Sequence, residues 1–140
     1  MIDGLYNTDV LTLAGNISHV GRLPAPDASV RKVSKLCGSW LEVDVKVDGE
    51  TVTDFALRLQ ACALGQASAA ILAQHVIGAT LDELRTAQDG LRAMLKEGGE
   101  APTGRFAALG LLAEVANYPA RHTSTMLAFD AVVAAVEQAI

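Results

Sequence analysis

Apolar and polar residues alternate in one central stretch of the chain, which predicts a β-hairpin. Valine or leucine occupies every second position from 41 to 47 between charged residues, the period-two pattern of a half-buried strand. Asp48-Gly49 is a two-residue hairpin signal, and residues 52–59 form a second strand with imperfect alternation near Asp54. A third strand is predicted at residues 29–35.

The pattern changes to helical after the hairpin. Residues 66–76 are rich in good helix formers and are ended by Gly78. Thr80 as N-cap and Glu83 three residues later form a capping box that begins a helix ending near residue 96. Further helices are predicted at residues 6–14, at 106–115, and from 118 or 119 almost to 140.

Strands followed by a run of helices predict the α+β class. We expect a small antiparallel sheet of about three strands with helices packed on one face. A chain of 140 residues has the length of one ordinary domain, so residues 1–140 are interpreted as a single domain. A chain of this length buries roughly two thirds of its unfolded surface, so it needs no metal or disulfide merely to fold.

Charge and hydropathy exclude two classes of function. The net charge is −5, and the basic residues are scattered, with no run longer than Arg31-Lys32, which disfavours nucleic-acid binding. No run of 18 apolar residues occurs, so no membrane span is expected. The first ten residues are acidic and lack the basic start of a signal peptide, and we therefore expect a cytoplasmic protein.

Two cysteines, Cys37 and Cys62, are too few for a secreted disulfide framework. Such a pair is either two buried thiols or a metal or redox site. Cys62 lies just before a predicted helix, where backbone N–H groups and the helix dipole favour a thiolate. The alternative is a small apolar residue at a strand-to-helix junction. The residues alone leave both open.

Four segments in order resemble one family. Residues 16–21 read NISHVG, and Cys37-Gly38-Ser39 leads into the hairpin. Cys62 begins a helix that precedes a Gly-x-Thr-Leu-Asp-Glu motif, and residues 118–129 read YPARHTSTMLAF. Together they are similar to the NifU/IscU iron–sulfur scaffold proteins, and the long spacer before the last segment favours the SufU branch. The resemblance covers about residues 5–138.

The resemblance implies a site of three cysteines and one aspartate that holds iron or a transient iron–sulfur cluster, with zinc as another metal for such a site. Cys37 and Cys62 match the first two cysteines. Ser39 stands where the aspartate is expected and Ser124 where the third cysteine is expected. A serine hydroxyl stays neutral near pH 7 and is a poor ligand, whereas thiolates are the soft, charged donors that clusters and zinc need.

Three arrangements would complete this ligand set. A homodimer would bring Cys37 and Cys62 of both subunits around one cluster. His122, two residues before Ser124, would supply a nitrogen, although it is also interpretable as a polar residue on an exposed helix turn. Ser124 itself would ligate directly, with lower affinity than a thiolate.

The expected function is iron–sulfur cluster assembly as a scaffold or carrier, with a cysteine desulfurase as partner and no enzymatic activity. One alternative is a partner-binding or regulatory protein of the same fold that has lost cluster building, which the two serines favour. The other is a sulfurtransferase with Cys62 as nucleophile, against which the lack of a clear general base counts.

Overall fold

A computed structural model describes residues 6–35 and 38–140. This part of the chain forms an antiparallel sheet and a set of helices, so the α+β prediction is confirmed. The strands are β1 (Ala28–Val33), β2 (Trp40–Asp48) and β3 (Thr51–Gln60). The helices are α1 (Thr8–Ala14), α2 (Ala63–His75), α3 (Leu81–Glu97) and α4 (His122–Ala139), with 3₁₀ segments at Gly104–Asn117 and Pro119–Arg121.

The β2–β3 hairpin turn lies one residue later than predicted. Asp48 still belongs to β2 and pairs with Thr51, so the two-residue loop is Gly49 and Glu50. Gly49 has φ 63°, in the left-handed region that glycine enters without a steric penalty. The Asp48-Gly49 prediction was therefore correct in loop length and wrong in position, because the positive φ belongs to the first loop residue.

The imperfect alternation in β3 is a β-bulge. Lys46 pairs with Asp54, yet the next residue, Val47, pairs with Val52. Thr53 is thus an extra residue on β3, and it shifts the side-chain alternation by one position. After the bulge the residues that face the helices are in phase with those of β2.

The sheet has the order β1-β2-β3, and α4 packs across β1 and β2. Helix α2 packs between α1 and α4, and apart from Gln66 every residue from Leu64 to Ala73 is buried. The outer edge of β3 is covered at both ends, because Leu57 hydrogen-bonds with the backbone of residues 19 and 21 and Val52 with that of residues 78 and 79. Covering an edge in this way hinders pairing with another chain.

The outer face of the sheet carries a buried ion pair. Arg58 contacts Asp44 at 3.1 Å and Glu42 at 2.9 Å, and the side chain of Asp44 is only 4% exposed. Asp44 also accepts hydrogen bonds from the Ser29 hydroxyl at 2.7 Å and the Leu23 backbone N–H at 3.1 Å. Burial by itself raises the pKa of Asp44, but these donors and the Arg58 charge outweigh it and hold the pKa below its ordinary value.

The capping box at the start of α3 is confirmed. The Glu83 backbone N–H donates to the Thr80 hydroxyl at 3.2 Å, and the Thr80 N–H donates to the Glu83 carboxylate at 3.1 Å. Arg105 binds the other Glu83 oxygen at 3.0 Å and donates to the carbonyls of His75, the last residue of α2, and of Gly78. The Arg105 hydrogen bond and the Thr80 N–H lower the pKa of Glu83.

Two helix predictions require correction. The segment predicted as a short helix at 106–115 is a longer 3₁₀ run, kinked at Phe106, whose ring packs edge-on against Phe129 at 5.3 Å. Helix-forming composition does not distinguish 3₁₀ from α geometry, so tertiary packing decides here. The α2 prediction began too late, since the helix starts at Ala63. None of the helices within residues 6–35 and 38–140 is long and apolar enough to cross a bilayer.

Candidate functional site

The site lies at the end of the sheet where β2 begins and β3 ends. Trp40 and Gln60 form the last pair of these strands, so the residues before β2 and after β3 lie side by side. An open cavity of about 290 Å³ is present there. It is lined by Gly38, Ser39, Gln60, Ala61 and Cys62.

Cys62 is the N-cap residue of α2, which agrees with its predicted place before a helix. Its backbone is extended (φ −66°, ψ 169°), and its carbonyl accepts the first helical hydrogen bond from the Gln66 N–H at 2.9 Å. The thiol makes no capping bond to the helix and is half-buried. The side chain is therefore available to groups outside its own helix.

The thiol of Cys62 lies against Ser124 in the first turn of α4. Their Sγ and Oγ atoms are 3.5 Å apart, and Ser124 is fully buried. The Ser124 hydroxyl donates to the Arg121 carbonyl at 3.2 Å, which leaves an oxygen lone pair facing the thiol. The fold thus brings together two positions that are 62 residues apart in the chain.

Ser39 lies in the connection between β1 and β2 and is 4% exposed. Its backbone carbonyl accepts from the Ser34 N–H at 2.8 Å, which closes this connection beside the cavity. Cys37 and Leu36 are in the same connection and lie outside the described residues. The assignment of Cys37 as a ligand therefore stays a prediction.

His122 is buried, so its interpretation as a polar residue on an exposed turn is wrong. The ring atom Nε2 lies 3.0 Å from the Val115 carbonyl and 3.3 Å from that of Ala116, and it donates to them. These hydrogen bonds anchor the 3₁₀ segment to α4. Because this nitrogen carries the donated proton, it has no lone pair with which to bind a metal. Only Nδ1 remains as a donor atom for the role that the sequence suggested.

The described side chains provide an incomplete ligand set. Within residues 6–35 and 38–140, no three His, Cys, Asp or Glu side chains converge closely enough to hold a metal ion. One thiol, Cys62, and the hydroxyls of Ser39 and Ser124 are what this part of the chain supplies. A thiolate-rich site requires at least Cys37 as well.

Two residues near the site were not assigned a role from the sequence. Trp40, the first residue of β2, packs against the Arg31 guanidinium, which lies 4.2 Å from the centre of its ring, and it is not among the residues that line the cavity. Gly65, in the first turn of α2, was overlooked, although a glycine within a helix is a signal of close backbone approach.

Comparisons with known proteins agree with one another. The family model described as NifU-like N terminal domain matches residues 5–138. A curated "Iron-sulfur cluster assembly scaffold protein IscU" from Thermotoga maritima is 27% identical over 127 residues, covering 89% of this chain and 87% of the relative. One of the same name from Streptococcus pyogenes serotype M1 is 28% identical over 138 residues, covering 98% of this chain and 86% of the relative.

Solved structures of NifU-like and SUF-system proteins share the fold of this chain. The crystal structure of a nitrogen-fixing NifU-like protein (N-terminal) from Brucella abortus is 51% identical, with a TM-score of 0.96. The match covers 98% of this chain and 95% of that chain. A scaffold for the SUF system from Fervidobacterium islandicum, 19% identical with a TM-score of 0.87, shares the fold, and the match covers 96% of this chain and 98% of that chain.

Proposed function

Because the chain belongs to the NifU-like N-terminal domain family, we propose that it is a scaffold or carrier in iron–sulfur cluster assembly. The observation that carries the proposal is the 3.5 Å contact between the Cys62 thiol and Ser124. These are the positions where the family resemblance expects the second and third cysteines, and the fold places them together beside an open cavity. Two curated relatives carry the scaffold name.

The cargo in this proposal is iron or a nascent cluster, held by thiolates because they are soft, negatively charged donors. Cys62 and Cys37 are the proposed ligands. Ser39 and Ser124 line the site and bind weakly, and the remaining His122 nitrogen is a lesser candidate. Weak ligation favours release to an acceptor, which a carrier needs. A homodimer with four thiolates would bind more tightly than a single chain.

A cysteine desulfurase is the proposed sulfur source, since a cluster requires sulfide that the chain has no evident chemistry to make. In this role the chain binds and transfers but does not catalyse a reaction of its own. The cytoplasm, where thiols stay reduced, is the proposed location.

The test is the iron, zinc and acid-labile sulfide content of protein purified without oxygen, before and after incubation with iron and a desulfurase. We expect about two irons and two sulfides per cluster-bearing dimer. Cys62→Ala and Cys37→Ala should abolish both. Ser68→Ala is a matched control, because Ser68 is a buried residue of the same helix whose hydroxyl has no hydrogen-bond partner among the described residues.

Other outcomes would change the assignment. Zinc alone, removed by the same cysteine substitutions, would indicate a metal-binding member of the family that does not hold clusters. No metal and no sulfide would contradict the scaffold role and favour a partner-binding protein of the same fold.

The sulfurtransferase alternative predicts an unusually reactive Cys62. The described contact of its thiol is the Ser124 hydroxyl, which is not a general base at neutral pH. We therefore expect the rate of Cys62 alkylation by iodoacetamide at pH 6–7, measured by mass spectrometry in a Cys37→Ala chain, to match that of an ordinary thiol. A rate roughly a hundredfold above that of glutathione would instead support the enzyme.

A further inference from the structure

Gly65 lies where helix α2 meets the start of α4. A Cβ atom added at this glycine would be 3.0 Å from the Ala61 Cβ and 3.2 Å from the Ser124 carbonyl oxygen. Carbon atoms in ordinary contact are about 3.5–4.0 Å apart. The start of α4 and the connection before α2 therefore lie so close to position 65 that any residue with a side chain would require a shift of a few tenths of an ångström.

Both atoms that crowd this position belong to segments that form the site. Ala61 precedes Cys62 and lines the cavity. Ser124 carries the hydroxyl that contacts the Cys62 thiol at 3.5 Å. Room for a methyl group at position 65 requires a shift of α2 or of one of these segments. Because Cys62 and Ser124 belong to them, we expect the distance between the two site atoms to change.

Helix propensity alone would favour a different residue. Glycine within a helix is less favourable than alanine by about 1 kcal/mol, and α2 is otherwise rich in alanine. The glycine is thus explained by the close approach and not by the needs of the helix.

We propose that Gly65 is a positioning residue that sets the distance between the Cys62 thiol and the donor at position 124. Its importance for cargo binding rests on the proposed function. The distance itself is a property of the folded chain, and it can be measured whether or not the protein binds metal.

The test measures how readily the two positions form a disulfide, which depends on the distance between them. In a Cys37→Ala, Ser124→Cys chain, the thiol of Cys62 and the introduced thiol are equilibrated with glutathione under nitrogen. Their oxidation to a disulfide reduces one oxidised glutathione to two glutathiones, which take up the two thiol protons. The equilibrium constant gives the effective concentration of the two thiols.

Adding Gly65→Ala should lower this effective concentration roughly tenfold, given that a 1 Å misplacement of reacting groups costs about a hundredfold. The further change Ala61→Gly removes the atom at 3.0 Å and should restore part of the loss. Rescue by a change at the crowding residue distinguishes positioning from a general loss of structure, which a second glycine substitution would only deepen.

Gly90→Ala is the matched control. A Cβ at this glycine in α3 would meet the Pro102 Cγ at 3.1 Å, a similar degree of crowding in a helix that does not carry the site. We expect it to change the melting temperature but not the disulfide equilibrium. An unchanged equilibrium with Gly65→Ala, or no disulfide at all in the parent chain, would overturn the proposal.

A zinc titration of Gly65→Ala, and of Gly65→Ala with Ala61→Gly, in chains that keep Cys37 and Ser124, separates this inference from the proposed function. If the disulfide equilibrium shifts while the wild-type chain binds no metal, Gly65 positions the two residues but the scaffold role fails. If Gly65→Ala changes both the disulfide equilibrium and the zinc affinity, the distance that Gly65 sets is also the one that the cargo requires.

Discussion

Replacing Ser124 with cysteine is expected to raise the affinity of the chain for zinc roughly a hundredfold. Zinc binding to a four-ligand structural site is worth about 10–16 kcal/mol, so one ligand contributes about 3 kcal/mol on average. The Ser124 oxygen already lies 3.5 Å from the Cys62 sulfur, and the substitution puts a second thiol there without moving the backbone. Competition with a chromogenic zinc chelator at pH 7.5 measures the change.

Thr53→Cys is the control for this prediction, because it adds one thiol at the exposed bulge near the other end of the hairpin. It should leave the zinc affinity of the site unaltered. An increase of similar size in both variants would show that any added thiol captures zinc. No increase with Ser124→Cys would mean that position 124 does not face the metal.

Replacing Asp44 with asparagine is expected to reduce the free energy of unfolding by about 3 kcal/mol near pH 7. Breaking a buried ion pair on one side typically costs 3–5 kcal/mol, and here the Arg58 charge keeps Glu42 as a second, more exposed partner. The amide has one acceptor oxygen where the carboxylate has two, so a hydrogen bond from the Leu23 N–H or from the Ser29 hydroxyl is also lost. Urea unfolding followed by circular dichroism measures the loss.

The effect of this substitution should depend on pH in a defined direction. The folded-state pKa of Asp44 is lowered, so its contribution is fully present above the unfolded-state value of about 3.9 and is lost as the pH falls through the folded-state value. The difference between wild type and Asp44→Asn should therefore be constant from pH 6 to 8 and shrink below about pH 4.

Glu42→Gln is the matched control for the network. Glu42 binds the same arginine, but its side chain is 26% exposed, so we expect a loss of no more than about 1 kcal/mol. Equal losses in the two carboxylate variants would contradict the importance given to the burial of Asp44.

Local sequence signals predicted most of the helices and strands, but they did not predict what packs against each element. The capping box at Thr80 and Glu83 depends on residues three apart, and it was correct in detail. Asp44 was different, because strict alternation on a strand puts it on the solvent side. The loop at residues 21–27 covers that side and buries the carboxylate, and no pattern within β2 carries this information.

The site was predictable only in part, because contacts between elements that are distant in the chain leave no local sequence pattern. The position of Cys62 before a helix follows from local sequence. Its contact with Ser124 depends on how α2 packs on α4, and only the family resemblance suggested it beforehand. The burial of His122 was missed because its partner, the Val115 carbonyl, lies in a 3₁₀ segment that was expected to be an ordinary helix.

The burial of α2 on almost every side has a consequence for hydrogen exchange. A helix enclosed by α1, α4 and the 3₁₀ segment cannot open without exposing most of the core, so its amides should exchange only through global unfolding. Cys62 is the residue from which this helix starts. Its backbone is thus attached to the slowest-exchanging unit of the molecule. We therefore expect that, when cargo binds or is released, the Cys62 side chain and the neighbouring segments move while the Cys62 backbone stays in place.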